Sequence, residues 1–295
     1  MAPKRSQPRL AQSLLIHLRL PFQLLLAPVF LWGWLVAGGG WSPRLGLAFI
    51  TFHVFLYGGA SAYNSYYDRD EGPIGGLEHP PPVEPALLWF ALAVEFVGCA
   101  LTLLVNVPTF LLYVTILVIF TAYSHPSVRL KARPFASLAA VGLGQGVLAY
   151  LAGYAACSGE LSAVWRPVGV LGALAAALLI LGVYPLTQVF QIDEDRARGD
   201  RTVAVAWGTR TCFILALSLQ AIGGIAMLLV LDSLFGSGDV LVVGLGIAIG
   251  IVAWAWWARS FDARQVLANY RYVMRRNSLA AIGLWAYFGF RLLVS

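Results

Sequence analysis

Nine long apolar stretches separated by short polar loops restrict this chain to folds built in lipid. They run near 13–37, 45–67, 86–105, 109–124, 135–156, 167–190, 210–232, 239–258 and 277–294. Most approach the roughly twenty residues needed to cross the ~30 Å hydrocarbon core as a helix. The fourth is short, and Pro108 leaves room only for a tight turn after the third, so these two read as a hairpin. The count is nine, with eight as the alternative. Of the 295 residues, 59% are hydrophobic and 12% charged, a balance no soluble domain could cover. The expected class is an all-α membrane protein of about nine transmembrane helices around a central cavity.

Lys and Arg are retained on the cytoplasmic side during insertion. With Lys4, Arg5 and Arg9 inside, the inside loops also hold Arg69, Arg129, Lys131, Arg133, Arg196, Arg198, Arg201, Arg210, Arg259, Arg264, Arg271, Arg275 and Arg276. The outside loops hold only Arg44 and Arg166. The expected topology places the amino terminus in the cytoplasm and the carboxy terminus on the opposite side. Arg19 and Arg291, near span ends, can snorkel. The net charge of +6 sits in juxtamembrane loops without a nucleic-acid motif, so it points to orientation and anionic membrane lipid rather than nucleic acid. The first span lacks a cleavable signal pattern and is expected to stay. Cys99, Cys157 and Cys212 lack metal-type spacing and read as small packing residues.

Two bursts of acid follow long apolar segments, where charge is expensive and marks function. The first is Asn64-Ser-Tyr-Tyr-Asp68-Arg-Asp70-Glu71-Gly72-Pro73; the second runs from Gln188 through Gln191, Asp193, Glu194 and Asp195 to Thr202. Both lie on the inside in this topology, which suggests one shared cation site. A hard divalent cation such as magnesium takes oxygen ligands and typically bridges one or two carboxylates to substrate phosphates. Asn64 and Asp68, four apart, share a helix face, which continues upward through Ser61 and Tyr57 to His53. Asp70 lies about 200° around from Asp68 on a continuous helix and reaches the same ion only if the chain unwinds, as Gly72-Pro73 and Gly75-Gly76 allow. Glu71 divides evenly between a ligand and an ordinary surface acid.

On the sixth span Gln188, Gln191 and Asp195 fall at i, i+3 and i+7, again one face. The glutamines can offer a carbonyl oxygen to a metal or amide hydrogens to a phosphate, but no charge. Between the bursts, Tyr123-Ser-His125-Pro126-Ser-Val-Arg129-Leu-Lys131 supplies cations to the same side. Opposite unit charges at 4 Å are worth about 4 kcal/mol at an effective dielectric near 20, so Arg129 and Lys131 can help hold a polyanion. His53, about 16 Å along the helix from Asn64, reads as a hydrogen-bonded core histidine ahead of an acceptor contact. Gly142, Gly144 and Gly146 permit close helix packing, a reading favoured over a ligand role for Gln145.

These three segments resemble the UbiA superfamily of intramembrane prenyltransferases. That family's pattern is Asn-x3-Asp-x3-Asp after the second helix, a Tyr-Ser-x-Pro motif leading to Arg-Leu-Lys after the fourth, and an aspartate-rich segment after the sixth. Asn64 and Asp68 match the first; Tyr123, Pro126, Arg129 and Lys131 the second; Asp193, Asp195, Gly199, Arg201 and Thr202 the third. Two charges depart from it: Gly72 stands where the third aspartate of the first motif belongs, and Gln191 replaces an aspartate of the last. The resemblance implies that residues 1–295 form one such domain, with 1–11 as a cytoplasmic tail.

It also implies a Mg2+-dependent enzyme that ionises a prenyl diphosphate and transfers the isoprenoid group to an aromatic, quinonoid or other lipophilic acceptor. Asp68 and Asp195 are then the catalytic acids. Asn64, Asp68, Asp70, Glu71, Asp193 and Asp195 are the metal ligands. Asn64, Tyr123, Arg129, Lys131, Gln188, Gln191 and Arg201 contact substrate. Aromatic faces would stabilise the cation, with Tyr57, Tyr63, Tyr66, Tyr67, Trp89, Tyr150 and Tyr154 available. Two alternatives remain: a membrane terpene cyclase of the same family, and a noncatalytic lipid-binding or transport homologue motivated by the two missing acids.

Overall fold

A computed structural model describes residues 9–294; Lys4, Arg5 and most of the expected tail lie outside the described residues. The first crossing combines α1 (Leu10–Ile16) and α2 (Leu20–Val36), joined through Arg19 in the left-handed region at φ 51°. Pro21 occupies the first turn of α2, where its missing N–H is harmless. The second crossing runs from α3 (Pro43–Ile50) through a π-helical turn, Thr51–Leu56, into α4 (Tyr57–Asp68). The expected hairpin follows as α5 (Ala86–Thr102) and α6 (Val107–Ser124). Asn106 caps α6 by accepting the Thr109 N–H at 2.9 Å.

The next crossing is α7 (Pro134–Val141), a second π-helical turn at Gly142–Val147, and α8 (Leu148–Ser158). It is followed by α9 (Pro167–Val183), a 3-10 turn at Tyr184–Thr187, and the short α10 (Ile192–Arg198). The last three are α11 (Val203–Phe235), α12 (Ser237–Ser260) and α13 (Val266–Val294). Among the described residues, eight segments are long and apolar enough to cross a bilayer, and α5, at 17 residues, is a ninth, shorter apolar helix. The short member of the hairpin is therefore α5, not α6. The sixth segment ends at Thr187, because Pro185 sits in a 3-10 turn and the following residues leave helical geometry.

The core lies where α2, α4, α6 and α8 meet, around Phe30, Phe52, Tyr113 and Tyr150. Glycine makes close approaches possible: a β-carbon on Gly153 would overlap the Phe30 carbonyl oxygen of α2, and one on Gly146 would lie 2.6 Å from the Ala177 Cα of α9. The expected close-packing role of the Gly142–Gly146 segment is thus observed. Leu241, Leu245, Val252, Ile282 and Leu293 of α12 and α13 face outward, as a lipid-exposed surface requires. At the end of the bundle remote from the acid bursts lies Arg291 of α13. It forks onto Asp239, with Tyr287 donating to the same carboxylate at 2.7 Å, and fastens α13 to α12.

Candidate active site

Helix α4 stops at Asp68 because Arg69 adopts a left-handed conformation at φ 50°. One turn earlier, the Asn64 amide donates to Asp68 Oδ2 at 2.6 Å and to Ser124 Oγ of α6 at 3.1 Å. The break redirects the chain, so Asp70 meets Arg198 at 2.8 Å instead of sharing the Asp68 face. The neighbouring Glu71 side chain is exposed, and its backbone N–H donates to Glu194 Oε1 at 3.0 Å.

Lys131 and Arg129 close over these acids from the loop after α6. The buried Lys131 ammonium lies 2.5 Å from Asp68 Oδ2 and 3.6 Å from Asp200 Oδ2. Arg129, itself left-handed at φ 44°, forks onto Asp200 at 2.7 and 2.8 Å and reaches Asp68 Oδ1 at 3.5 Å. Arg198 from α10 completes the lattice, 3.3 Å from Glu194, 3.8 Å from Asp68 and 3.9 Å from Asp200. Burial pushes the Asp200 carboxyl up, but the Arg129 hydrogen bonds and the Lys131 charge outweigh it and hold the group below the usual carboxylate range. Those same Asp200 hydrogen bonds hold the Arg129 guanidinium more firmly protonated.

Asp195 behaves differently. Burial pushes its carboxyl up to about 6 against the opposing Lys131 charge and the hydrogen bond from Thr202 Oγ1 at 3.1 Å. Thr202 also caps α11 by accepting the Val205 N–H. Tyr123 sits in the field of both Asp68 and Asp195, and its hydroxyl pairs with that of Tyr184 at 2.9 Å.

Behind this polar end opens a cavity of about 790 Å³, lined by Phe22, Trp32, Tyr57, Phe120, Tyr123, Tyr184 and Phe288, with Asn64 and Gln191 at the charged side. A volume of that size suits a drug-sized or lipid-chain ligand. Among the aromatics named from the sequence beforehand as pocket candidates, only Tyr57 lines it; Trp89 of α5 is 73% exposed on the outer surface.

The expected single face carrying Gln188, Gln191 and Asp195 does not form, because residues 188–191 leave helical geometry between the 3-10 turn and α10. Gln188 turns away to accept the Ala204 N–H at 3.4 Å, while Gln191 lines the cavity and donates to the Pro73 carbonyl at 3.3 Å. Asp193 is a further correction: two residues before Asp195 on α10, it points to the opposite side, its side chain 96% exposed and paired only with Arg196. Arg201 is likewise exposed, outside the ion-pair lattice. His53 is the hydrogen-bonded core histidine, with Nδ1 at 3.0 Å from the Phe49 carbonyl and its ring stacked on Phe49 at 4.3 Å. The π-helical turn lies in this stretch, and His53 is not among the cavity-lining residues.

Sequence reasoning missed Arg198 and Glu194, both inside the second burst, where alternating acid and base was the available signal. It also missed Arg19. Its guanidinium, 7% exposed, donates to Ser65 Oγ at 2.7 Å and lies in the field of Asp70 and Asp68. Burial against α4, rather than snorkelling, is its place.

The donors are hard oxygens divided among cations, and among the described residues no three acid, histidine or cysteine side chains converge on one point. Asp68 Oδ1 is buried without a hydrogen-bond donor. That donor set fits magnesium held by one or two carboxylates and completed by phosphate, not a closed protein cage. If magnesium binds here, the buried Asp68 and Asp195 would hold it, and a rotated Asn64 amide would add a carbonyl oxygen.

The profile of the UbiA prenyltransferase family matches residues 25–279. The chain belongs to that family. The digeranylgeranylglyceryl phosphate synthase of Natronomonas pharaonis is 32% identical over 247 residues, covering 78% of this chain and 80% of that protein. A UbiA homologue from Archaeoglobus fulgidus, solved with DMAPP and Mg2+, superposes with a TM-score of 0.65 over 94% of this chain and 99% of that one at 20% identity. The apo UbiA homologue from Aeropyrum pernix gives 0.66 over 91% and 98% at 19% identity. The protein is thus an integral, multi-pass membrane prenyltransferase with the all-helical UbiA fold.

Proposed function

We propose that the protein transfers an isoprenoid group from a prenyl diphosphate to an amphipathic lipid acceptor in a Mg2+-dependent reaction. One observation carries this reading: the lattice of Asp68, Asp200, Arg129, Lys131 and Arg198 adjoins a mainly apolar cavity through Asn64, which lines the cavity and donates to Asp68. Bound magnesium would supply Lewis-acid stabilisation to the departing diphosphate.

The chain's own residues do the rest. Arg129, Lys131 and Arg198 exchange part of their carboxylate contacts for phosphate oxygens, which guanidinium forks match well. Asn64 and Asp68 orient the diphosphate at the cavity mouth. The allylic carbon–oxygen bond breaks, diphosphate leaves with the electron pair, and the acceptor oxygen or carbon forms the new bond and loses a proton. Tyr57, Phe120 and Tyr123 line the adjoining wall, where aromatic faces stabilise positive charge and the apolar surface excludes water.

The 32% identical relative is named for a glyceryl phosphate bearing two geranylgeranyl chains. An acceptor of that class, a lipid with an anionic head, is the one we favour here over a quinonoid one. Incubating the full chain with geranylgeranyl diphosphate and a geranylgeranylglyceryl phosphate should give a doubly prenylated phospholipid. Product on phenolic or quinonoid acceptors alone would contradict this choice of acceptor.

A further inference from the structure

Away from the ion-pair lattice, the cavity wall carries an arginine outside every ion pair among the described residues. Arg276 of α13 lines the cavity, its Nε buried without an acceptor, and its guanidinium packs at 5.9 Å over the Trp254 ring of α12. Gln220 of α11 lines the same cavity, and its amide nitrogen is also buried without an acceptor. The two lie at one depth. Gly224 of α11 packs on Ile247 of α12, so Gln220, one turn nearer the polar end, is level with the turn around Gly250. A β-carbon on Gly250 would stand 3.7 Å from Arg276 Nη2.

The wall beside these orphaned donors is kept small. Gly246 and Gly283 also line the cavity, and β-carbons built on them would meet nothing within 4 Å. An unpaired cation in a membrane wall is costly and marks a ligand pathway. A guanidinium with free N–H groups matches a phosphate or carboxylate, and the Gln220 amide, a second donor in the lining of the same cavity, adds to that match. The acids of the main site cannot attract such a group.

We propose that Arg276 and Gln220 form an anion-binding subsite that seats the phosphate or carboxylate head of the acceptor lipid. This rests on the reading of an anionic acceptor above and assigns its headgroup to this wall, apart from the diphosphate lattice. The same chemistry could be met by a bystander phospholipid, so the test separates the two sources.

The full chain in phosphatidylcholine nanodiscs, without donor or magnesium, is offered a geranylgeranylglyceryl phosphate and its dephosphorylated alcohol. Retention is read by native mass spectrometry. Wild type should prefer the phosphate form roughly ten- to a hundredfold, the range for a hydrogen bond to a charged group. Arg276→Gln should abolish the preference, and Gly250→Val, which fills the space before the guanidinium, should lower it. Equal preference in wild type and Arg276→Gln overturns the subsite. Displacement by equimolar phosphatidic acid overturns the acceptor assignment in favour of a bystander lipid. In turnover, Arg276→Gln should raise KM for the phosphate-bearing acceptor while KM for geranylgeranyl diphosphate stays fixed; the reverse pattern overturns the subsite. If wild type shows no transfer at all, the prenyl-transfer reading fails, and the retention measurement still decides the subsite.

Discussion

Glu194 Oε2 stands 2.6 Å from where a β-carbon on Gly72 would lie, while its Oε1 accepts the Glu71 N–H at 3.0 Å. The position lacking the expected third aspartate is therefore served by a carboxylate from the other acidic segment. Gly72→Asp alone would place two carboxylates together and push the flexible Glu194 aside, weakening both. The double variant Gly72→Asp/Glu194→Gly should recover the loss. We expect a coupling of about 1–2 kcal/mol in a double-mutant cycle on Mg2+ affinity, within the usual range for residues in one network. Additive effects would show that the two positions are independent.

Lys131 is the most buried cation of the lattice and contacts both Asp68 and Asp200. Removing one partner of a buried ion pair leaves uncompensated charge. Lys131→Met should therefore destabilise the protein by about 3 kcal/mol, with a lower thermal midpoint in the absence of any substrate. Prenyl transfer should fall with it. An unchanged midpoint would mean that the ammonium contributes little to the resting lattice.

Proton and metal should compete at Asp195. Its folded-state value of about 6 lies above the unfolded value near 3.9. The folded chain thus holds this proton more tightly, and metal-free stability should fall as pH rises from about 4 to 6. Mg2+ affinity has the opposite sign, weakening as pH drops through about 6 and the carboxylate is lost. Asp200, held below the usual range, stays ionised across that window. Isothermal titration at pH 5 and pH 7 checks this, and in Asp195→Asn the pH difference should largely vanish.

The bundle depends on a close approach at Gly146, whose β-carbon would meet the Ala177 backbone. Gly146→Leu should force α9 from the π-helical turn and destabilise the protein by about 2 kcal/mol, in the range for overpacking. Thermal melts with and without prenyl diphosphate would measure it.

The spans, the two acid bursts and the basic loop could be read directly because each depends on local composition and membrane length. The meeting of Asp68 with Lys131 followed from placing both at one end of the bundle. What escaped was set by breaks in helical register. The π-helical turn at Thr51–Leu56 interrupts the helical register containing His53. The non-helical 188–191 stretch sends Gln188 toward α11 and Gln191 toward the cavity. Asp193 and Asp195 look equivalent in sequence until α10 turns one out and the other in. Arg198, Asp200 and Arg19 acquire their partners only through tertiary packing, which no periodicity encodes.

The most direct measurement is diphosphate release by the full chain supplied with geranylgeranyl diphosphate and acceptor, with and without Mg2+, comparing wild type with Asp68→Ala. Release that requires both magnesium and Asp68, and falls by about a hundredfold or more in the variant, is the expected result. Wild-type release at the same rate without magnesium, or in a folded Asp68→Ala protein, would contradict the assignment of the Asp68 lattice as the ionising site.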